Sequence, residues 1–253
     1  MTAAATVPGI RRVEQIMGMS IVVDVRDEGA GGEILEPVFD WLRWVDTTFS
    51  TYKEDSEISR LARGELAIEE TCGDVREVLA RCEGLRIETN GYFDAWAAGL
   101  VDPSGLVKGW SVDRAATILD GAGLRDYAVN AGGDIRLHGR AAPDDCWRVG
   151  IQHPLERDRI AAVVEGADLA VATSGAYARG AHVTDPHTGR PPHGVLSVTV
   201  TGSDLTTADA YATAAFAMGL EGPAWTAGLQ GYEAMTILKN EQVLTTAGFP
   251  DTG

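Results

Sequence analysis

Tyr127-Ala-Val-Asn-Ala-Gly-Gly-Asp-Ile-Arg-Leu-His138 decides how the second half of the chain folds. Two short strand-length runs, Tyr127 to Asn130 and Asp134 to His138, flank a connector built on adjacent glycines. Glycine accepts positive φ without steric cost, so Asn130-Ala-Gly-Gly-Asp134 has hairpin chemistry and the runs are expected to pair antiparallel. Further strand-length runs follow at Trp147 to Ile151, Ile160 to Val164, Leu169 to Thr173, Ser197 to Thr201 and Ala234 to Leu238. Upstream of Tyr127, only Met19 to Val25 reads as a strand. The periodic runs there are helical: Leu35, Val38, Phe39, Leu42, Val45 and Phe49 form one stripe, and Val75, Val78, Leu79, Cys82 and Leu85 form another that Asn90-Gly91 stops. Ser111 to Leu119 and Thr207 to Gly219 add two helices. Helices cluster early and strands late, which predicts an α+β fold, a single domain over residues 1–253 with a largely antiparallel sheet and helices packed against it. A doubly wound nucleotide fold is poorly supported, because Gly121-Ala-Gly123 lacks a third glycine and no strand clearly precedes it.

The 253 residues carry a net charge of −16, which argues against a nucleic-acid or anionic-membrane partner. The same charge makes an anionic substrate awkward unless a metal ion and local cations offset it, and Lys108, Arg179 and Arg190 are the candidates. Cys72, Cys82 and Cys146 show no metal-ligand spacing and are expected as free thiols in a reducing compartment. The first residues lack the apolar core of a signal peptide, and no run of about 18 apolar residues could span a membrane, so a cytoplasmic location without membrane insertion is the expectation.

On the helix Thr207-Ala-Asp-Ala-Tyr-Ala-Thr-Ala-Ala-Phe-Ala-Met-Gly219, Asp209 and Thr213 stand four residues apart and share a face. A carboxylate with a hydroxyl is oxygen chemistry, suited to Mg²⁺ bridging to a phosphate. The same residues could instead cap the helix and bond back to its carbonyls. Asp102-Pro-Ser-Gly-Leu-Val-Lys-Gly109 reads as a loop able to cradle a phosphate, or as a structural turn with an exposed lysine. Ala181-His-Val-Thr-Asp-Pro-His-Thr-Gly189 places His182 beside Asp185, a pair that can act as a general base and its support, or can serve as a surface turn. His138, His153 and His193 have no such neighbours.

Taken in order, Met17-Gly18, Phe49-Ser-Thr-Tyr52 with Ser56-Glu57, Gly91-Tyr-Phe-Asp94, Asp102 through Val112, Asn130 through Asp134, Ala172-Thr-Ser-Gly175, His182 through Gly189 and Ala208 through Thr213 resemble the FAD:protein FMN transferase (ApbE) family. The resemblance runs through almost the whole chain. It implies transfer of FMN from FAD to a Thr or Ser hydroxyl of an acceptor protein, with release of AMP and a requirement for Mg²⁺. By the same resemblance Asp209 and Thr213 bind the metal through side chains and Val107 through its carbonyl. Lys108 lies near the flavin or phosphates, and His182 accepts the proton with Asp185 as support. Met17, Tyr52, Glu57, Asp94, Asp102, Asn130, Gly132 and Gly133 line the FAD site, which Thr173, Ser174 and Gly175 border.

Three positions depart from the family pattern. Met19 follows Met-Gly where Thr is common, Val107 replaces Ala, and Thr184 replaces an aliphatic residue. The expected acceptor carries an Asp-x-x-Ser/Thr-Ala-Thr-like motif. Asp168-Leu-Ala-Val-Ala-Thr173 approaches that motif but has Val171 at the fourth place, so self-modification is not expected. Without a lipobox cysteine, the acceptor is expected in the cytoplasm. Two other activities share these residues: a non-catalytic FAD-binding protein, and an Mg²⁺-dependent FAD pyrophosphatase giving FMN and AMP.

Overall fold

The structure, a computed structural model, describes residues 9–97, 99–143, 145–175 and 183–252. Among the described residues ten strands are present: β1 (Ile10–Ile16), β2 (Met19–Val25), β3 (Tyr127–Ala131), β4 (Asp134–His138), β5 (Trp147–Gln152), β6 (Ile160–Gly166), β7 (Ala170–Gly175), β8 (Val195–Gly202), β9 (Glu233–Leu238) and β10 (Val243–Thr245). The α-helices are α1 (Glu36–Phe49), α2 (Glu57–Ala62), α3 (Gly73–Glu88), α4 (Ser104–Gly121), α5 (Leu205–Ala217) and α6 (Gly222–Thr226). Eight strands form one sheet in the order β1-β2-β3-β4-β7-β8-β9-β10, with every neighbouring pair antiparallel. The fold is therefore α+β with an antiparallel sheet, as the order of helical and strand runs predicts.

The central hairpin forms as expected. Ala131 pairs with Asp134 across a turn whose residues Gly132 and Gly133 have φ of +62° and +107°. The Asn130 carboxamide accepts the Gly133 N–H at 2.9 Å, closing the turn.

The two faces of the sheet bury different things. Ala170, Ala172, Val198, Val200 and Ala234 join the core formed with the helices. Leu137, Val171, Met235 and Ile237 face the other way, where the β5–β6 hairpin covers them with Trp147, Val149, Ile151 and Val164. On the helical face α1 presents Val38, Phe39, Leu42, Val45 and Phe49, the stripe read in the sequence. Burying each large apolar side chain contributes about 1.5–3 kcal/mol.

Helix α5 is the element around which the others pack. Its Ala-rich surface is buried on nearly every side, between α4 on one flank and strands β7 and β8 on the other. A helix apolar all round belongs in an interior, and small side chains let neighbours come close. Its start is capped by Asp204, whose carboxylate accepts the Thr207 N–H at 2.8 Å, and its end turns at Gly219 with φ of +61°. Asp204 takes the capping role and leaves Asp209 available for other work.

Three local expectations are corrected. Asp102 to Gly109 is not a loop: α4 begins at Ser104, seven residues before the expected Ser111. Its glycines serve close packing, since a Cβ on Gly105 would stand 3.2 Å from the Phe93 ring and one on Gly109 2.4 Å from the Leu205 carbonyl oxygen. Strand β1 is not expected from the sequence, because in Ile10-Arg-Arg-Val-Glu-Gln-Ile16 the exposed face carries Arg11, Val13 and Gln15 and the half-buried face carries Arg12 and Glu14 with Ile10, so polarity does not alternate along this sheet edge. Short β10 completes the opposite edge beside β9.

Candidate active site

The site lies where the N-terminal half of α4, the middle of α5, the end of β7 and the Gly132 turn converge around a cavity of about 470 Å³. Asp209 and Thr213 point into it from α5, one turn apart. Ser174, on the helix-facing side of β7, brings its Oγ within 3.2 Å of Thr213 Oγ1. Thr213 thus meets a second hydroxyl instead of only its own helix carbonyls. Asp209 is 2% exposed, and its Oδ2 accepts the Gly109 N–H at 3.1 Å.

Lys108 reaches the same place from α4. Its Nζ lies 3.3 Å from Asp209 Oδ1 and forms an ion pair with Asp134, the first residue of β4. Asp134 is buried, and its Oδ1 accepts the Thr173 N–H at 2.9 Å where β4 and β7 diverge. Burial pushes the Asp209 carboxyl above the ordinary aspartate value; Lys108 pulls it back and the neighbouring Asp134 charge adds to the rise.

Among the described residues lining the cavity, Lys108 is the one lysine or arginine, against the carboxylates of Asp94, Asp102 and Asp209. A diphosphate entering such a site needs further positive charge. Asp209 and Thr213 offer oxygen donors of the kind a hard divalent cation takes, and the buried Asp134, which shares the Lys108 ammonium with Asp209, leaves the two carboxylates one positive charge short. The residues present fit Mg²⁺.

Of the residues expected at the site, Asp94, Asp102, Lys108, Gly132, Thr173, Ser174, Gly175, Asp209 and Thr213 line the cavity together. Asp94 and Asp102 are held by local turns, accepting the N–H groups of Trp96 and Ser104 at 2.8 and 3.0 Å. Val107 is buried with its side chain in the core, one residue before Lys108. Met17 sits in the β1–β2 turn with φ of +54° and packs on the core.

Several expected residues stand off the cavity. Tyr52 is 96% exposed beyond the end of α1. Glu57 opens α2 and spends its carboxylate on the Cys72 N–H at 2.7 Å. Asn130 closes its own turn, and Gly133 lines a neighbouring cavity of about 330 Å³ with Arg157 and Val171. Asp185 accepts the His187 N–H at 2.9 Å and the Thr188 hydroxyl at 2.8 Å, the turn bonding that was the other reading of that loop. Val183, Thr184, Pro186 and Gly189 of the same loop line the cavity. His182 and Arg179 lie outside the described residues.

Asp134 is the contributor to which the sequence reading gave no role. It closed the hairpin motif, and only the tertiary fold shows its carboxylate turned toward Lys108.

Comparison with known proteins places this arrangement. The sequence profile of the ApbE family matches residues 17–102 and 97–236. A FAD:protein FMN transferase of Vibrio cholerae is 37% identical over 158 residues, covering 58% of this chain and 47% of that protein. One from Treponema pallidum is 31% identical over 205 residues, covering 70% of this chain and 57% of its own length. The matched part of the chain thus spans about half the length of these curated relatives. The solved structure of the flavin transferase ApbE from Vibrio cholerae superposes with a TM-score of 0.85 at 25% identity, over 95% of this chain and 97% of that one. The ApbE protein of Thermotoga maritima shares the fold, with a TM-score of 0.80 at 21% identity over 94% and 97% of the two chains. With the profile covering most of its length and the fold matching end to end, the chain belongs to the ApbE family.

Proposed function

We propose that this protein transfers FMN from FAD to a Thr or Ser hydroxyl of an acceptor protein, releasing AMP, with Mg²⁺ bound by Asp209 and Thr213. The observation that carries the reading is the buried Asp209 set one helical turn from Thr213, with Lys108 3.3 Å from its carboxylate, in a cavity whose other lining charges are acidic. The substrates are those of the similar FAD:protein FMN transferases.

The acceptor hydroxyl oxygen bonds to the FMN-side phosphorus, the bond from that phosphorus to the bridging oxygen breaks, and AMP leaves with that oxygen. The hydroxyl proton passes to a base, for which His182 is our candidate; Asp185, bonded within its turn, supports that loop. Bound Mg²⁺ supplies positive charge at the diphosphate. Asp209 and Thr213 hold it through their oxygens, with the Val107 carbonyl as a third donor. The Gly109 amide fixes the orientation of the Asp209 carboxylate and Ser174 that of the Thr213 hydroxyl. Lys108 meets phosphate oxygens from the cavity wall, while Asp94, Asp102, Gly132, Thr173 and Gly175 bound the space the dinucleotide fills. Tyr52, Met17, Glu57, Asn130 and Gly133 then act from outside the cavity.

We treat residues 1–253 as one catalytic domain, because one hydrophobic core runs from Ile16 on β1 to Ala234 on β9. Its acceptor would be a cytoplasmic protein with an Asp-x-x-Ser/Thr-Ala-Thr-like motif. No helix among the described residues is long and apolar enough to cross a membrane. FAD hydrolysis differs only in water taking the acceptor's place, and an FAD carrier differs in forming no AMP. Replacing Asp209 with Ala tests the metal assignment: transfer to an acceptor domain should be lost, and undiminished transfer would refute it.

A further inference from the structure

We propose that Lys108 is the resident counter-cation of the metal site, and that Asp134 is the positioning residue onto which Lys108 withdraws when a divalent ion takes Asp209. The inference rests on the metal reading of Asp209 given above.

Two carboxylates from different elements, Asp134 on β4 and Asp209 on α5, are each 3% exposed at the side chain and share the ammonium that α4 delivers. A buried carboxylate without a counter-charge is strongly destabilising. Asp209 otherwise receives a neutral amide, that of Gly109; Asp134 receives the Thr173 amide on Oδ1 and turns Oδ2 to the Lys108 ammonium. Lys108 is thus the cation that permits both carboxylates to be buried and ionised. One ammonium against two carboxylates still leaves the cluster a positive charge short, which attracts a further cation.

A divalent ion on Asp209 cannot share that carboxylate with an ammonium 3.3 Å from Oδ1 without strong like-charge repulsion. Lysine has a flexible stem and a compact charge, so it can move by a small rotation. Asp134 makes the move possible, because it lies in contact with Lys108 and is fixed by Thr173. The ammonium therefore gives up Asp209 without leaving the cluster, and remains at the cavity wall. Metal and lysine compete for one carboxylate, while the second carboxylate stores the lysine.

The test is Mn²⁺ binding to the full chain without FAD, read by calorimetry or by the free-Mn²⁺ EPR signal, together with thermal melting with and without Mn²⁺. Lys108→Met should tighten Mn²⁺ binding by about tenfold or more, since a competing charge is gone. It should also lower the melting temperature of the metal-free protein, and Mn²⁺ should restore it. Lys108→Gln, which keeps a polar group in place, provides the same comparison if Lys108→Met does not fold. Asp134→Asn should weaken Mn²⁺ binding in the wild-type background, because Lys108 is left on Asp209, and should weaken it clearly less in the Lys108→Met or Lys108→Gln background. Such non-additivity is the mark of a residue acting through another. Unchanged Mn²⁺ affinity in both Lys108 variants, or an equal effect of Asp134→Asn in both backgrounds, would overturn the inference. Mn²⁺ binding that survives in Asp209→Ala would instead refute the metal reading beneath it.

Discussion

Gly109 on α4 donates its backbone N–H to the Asp209 carboxylate on α5 at 3.1 Å, while a Cβ on Gly109 would lie 2.4 Å from the Leu205 carbonyl oxygen. The two helices approach this closely only because Gly109 lacks a side chain, and the approach is what orients the Asp209 carboxylate. Backbone atoms cannot yield as a flexible side chain would. Gly109→Ala should cost about 1–3 kcal/mol of stability through overpacking and should weaken Mn²⁺ binding alongside. Denaturant unfolding and metal titration of the variant check this; wild-type values in both would contradict it.

The start of α5 is held from outside as well. Asp113 on α4 accepts the Leu205 N–H at 3.1 Å, and the Thr206 N–H and hydroxyl at 2.7 and 2.6 Å. Burial raises the Asp113 carboxyl above its ordinary value, while these bonds and Arg136 pull it back. Asp113→Ala strands donors at the helix start and should cost about 1–3 kcal/mol; Asp113→Asn, keeping one acceptor, should cost less. Equal stability of the alanine variant and wild type in denaturant would show the cap to be dispensable.

Among the thiols, Cys82 is fully buried on α3, and burial pushes it up from an ordinary 9.0 to about 12. A neutral, enclosed thiol does not react. With an aromatic disulfide reagent at pH 8, Cys82 should stay unmodified in the native protein and react once denaturant is added. Its folded pKa exceeds the unfolded one, so the unfolded chain releases this proton first as pH rises from 9.0 toward 12, and stability should fall across that window. Rapid native labelling at Cys82, located by peptide mapping, would contradict the burial.

Ser174 and Thr213 give a graded pair. In the proposed metal site Thr213 is the donor, whereas Ser174 bonds Thr213 from 3.2 Å. Thr213→Ala should weaken Mn²⁺ binding more than Ser174→Ala does, and a double variant should be no worse than Thr213→Ala alone. The reverse order in a metal titration would exchange the roles.

Much of this was legible locally. The Gly132-Gly133 turn declares its hairpin because two positive φ angles are needed in succession, and Asp209 with Thr213 declares a shared helix face through their spacing. Asp102 to Gly109 reads as a loop from sequence because Gly105 and Gly109 carry the same letters whether they turn the chain or admit a neighbour, and only the packed Phe93 and Leu205 distinguish the two. The Lys108–Asp134 pairing joins α4 to β4, so no local window contains it. Glu57 was assigned to a ligand site but its carboxylate is taken by the Cys72 amide, a contact between segments 15 residues apart that periodicity does not reveal.

The most direct measurement is the intact mass of an acceptor domain bearing the Asp-x-x-Ser/Thr-Ala-Thr-like motif after incubation with this protein, FAD and Mg²⁺, with AMP quantified in the same sample. A flavin transferase of this kind should give an FMN-sized mass gain matched by AMP, absent when Mg²⁺ is chelated or Asp209 is alanine. AMP formed at the same rate without acceptor and with no mass gain would make the protein an FAD pyrophosphatase, and FAD bound without AMP would make it a carrier; either would contradict the transferase.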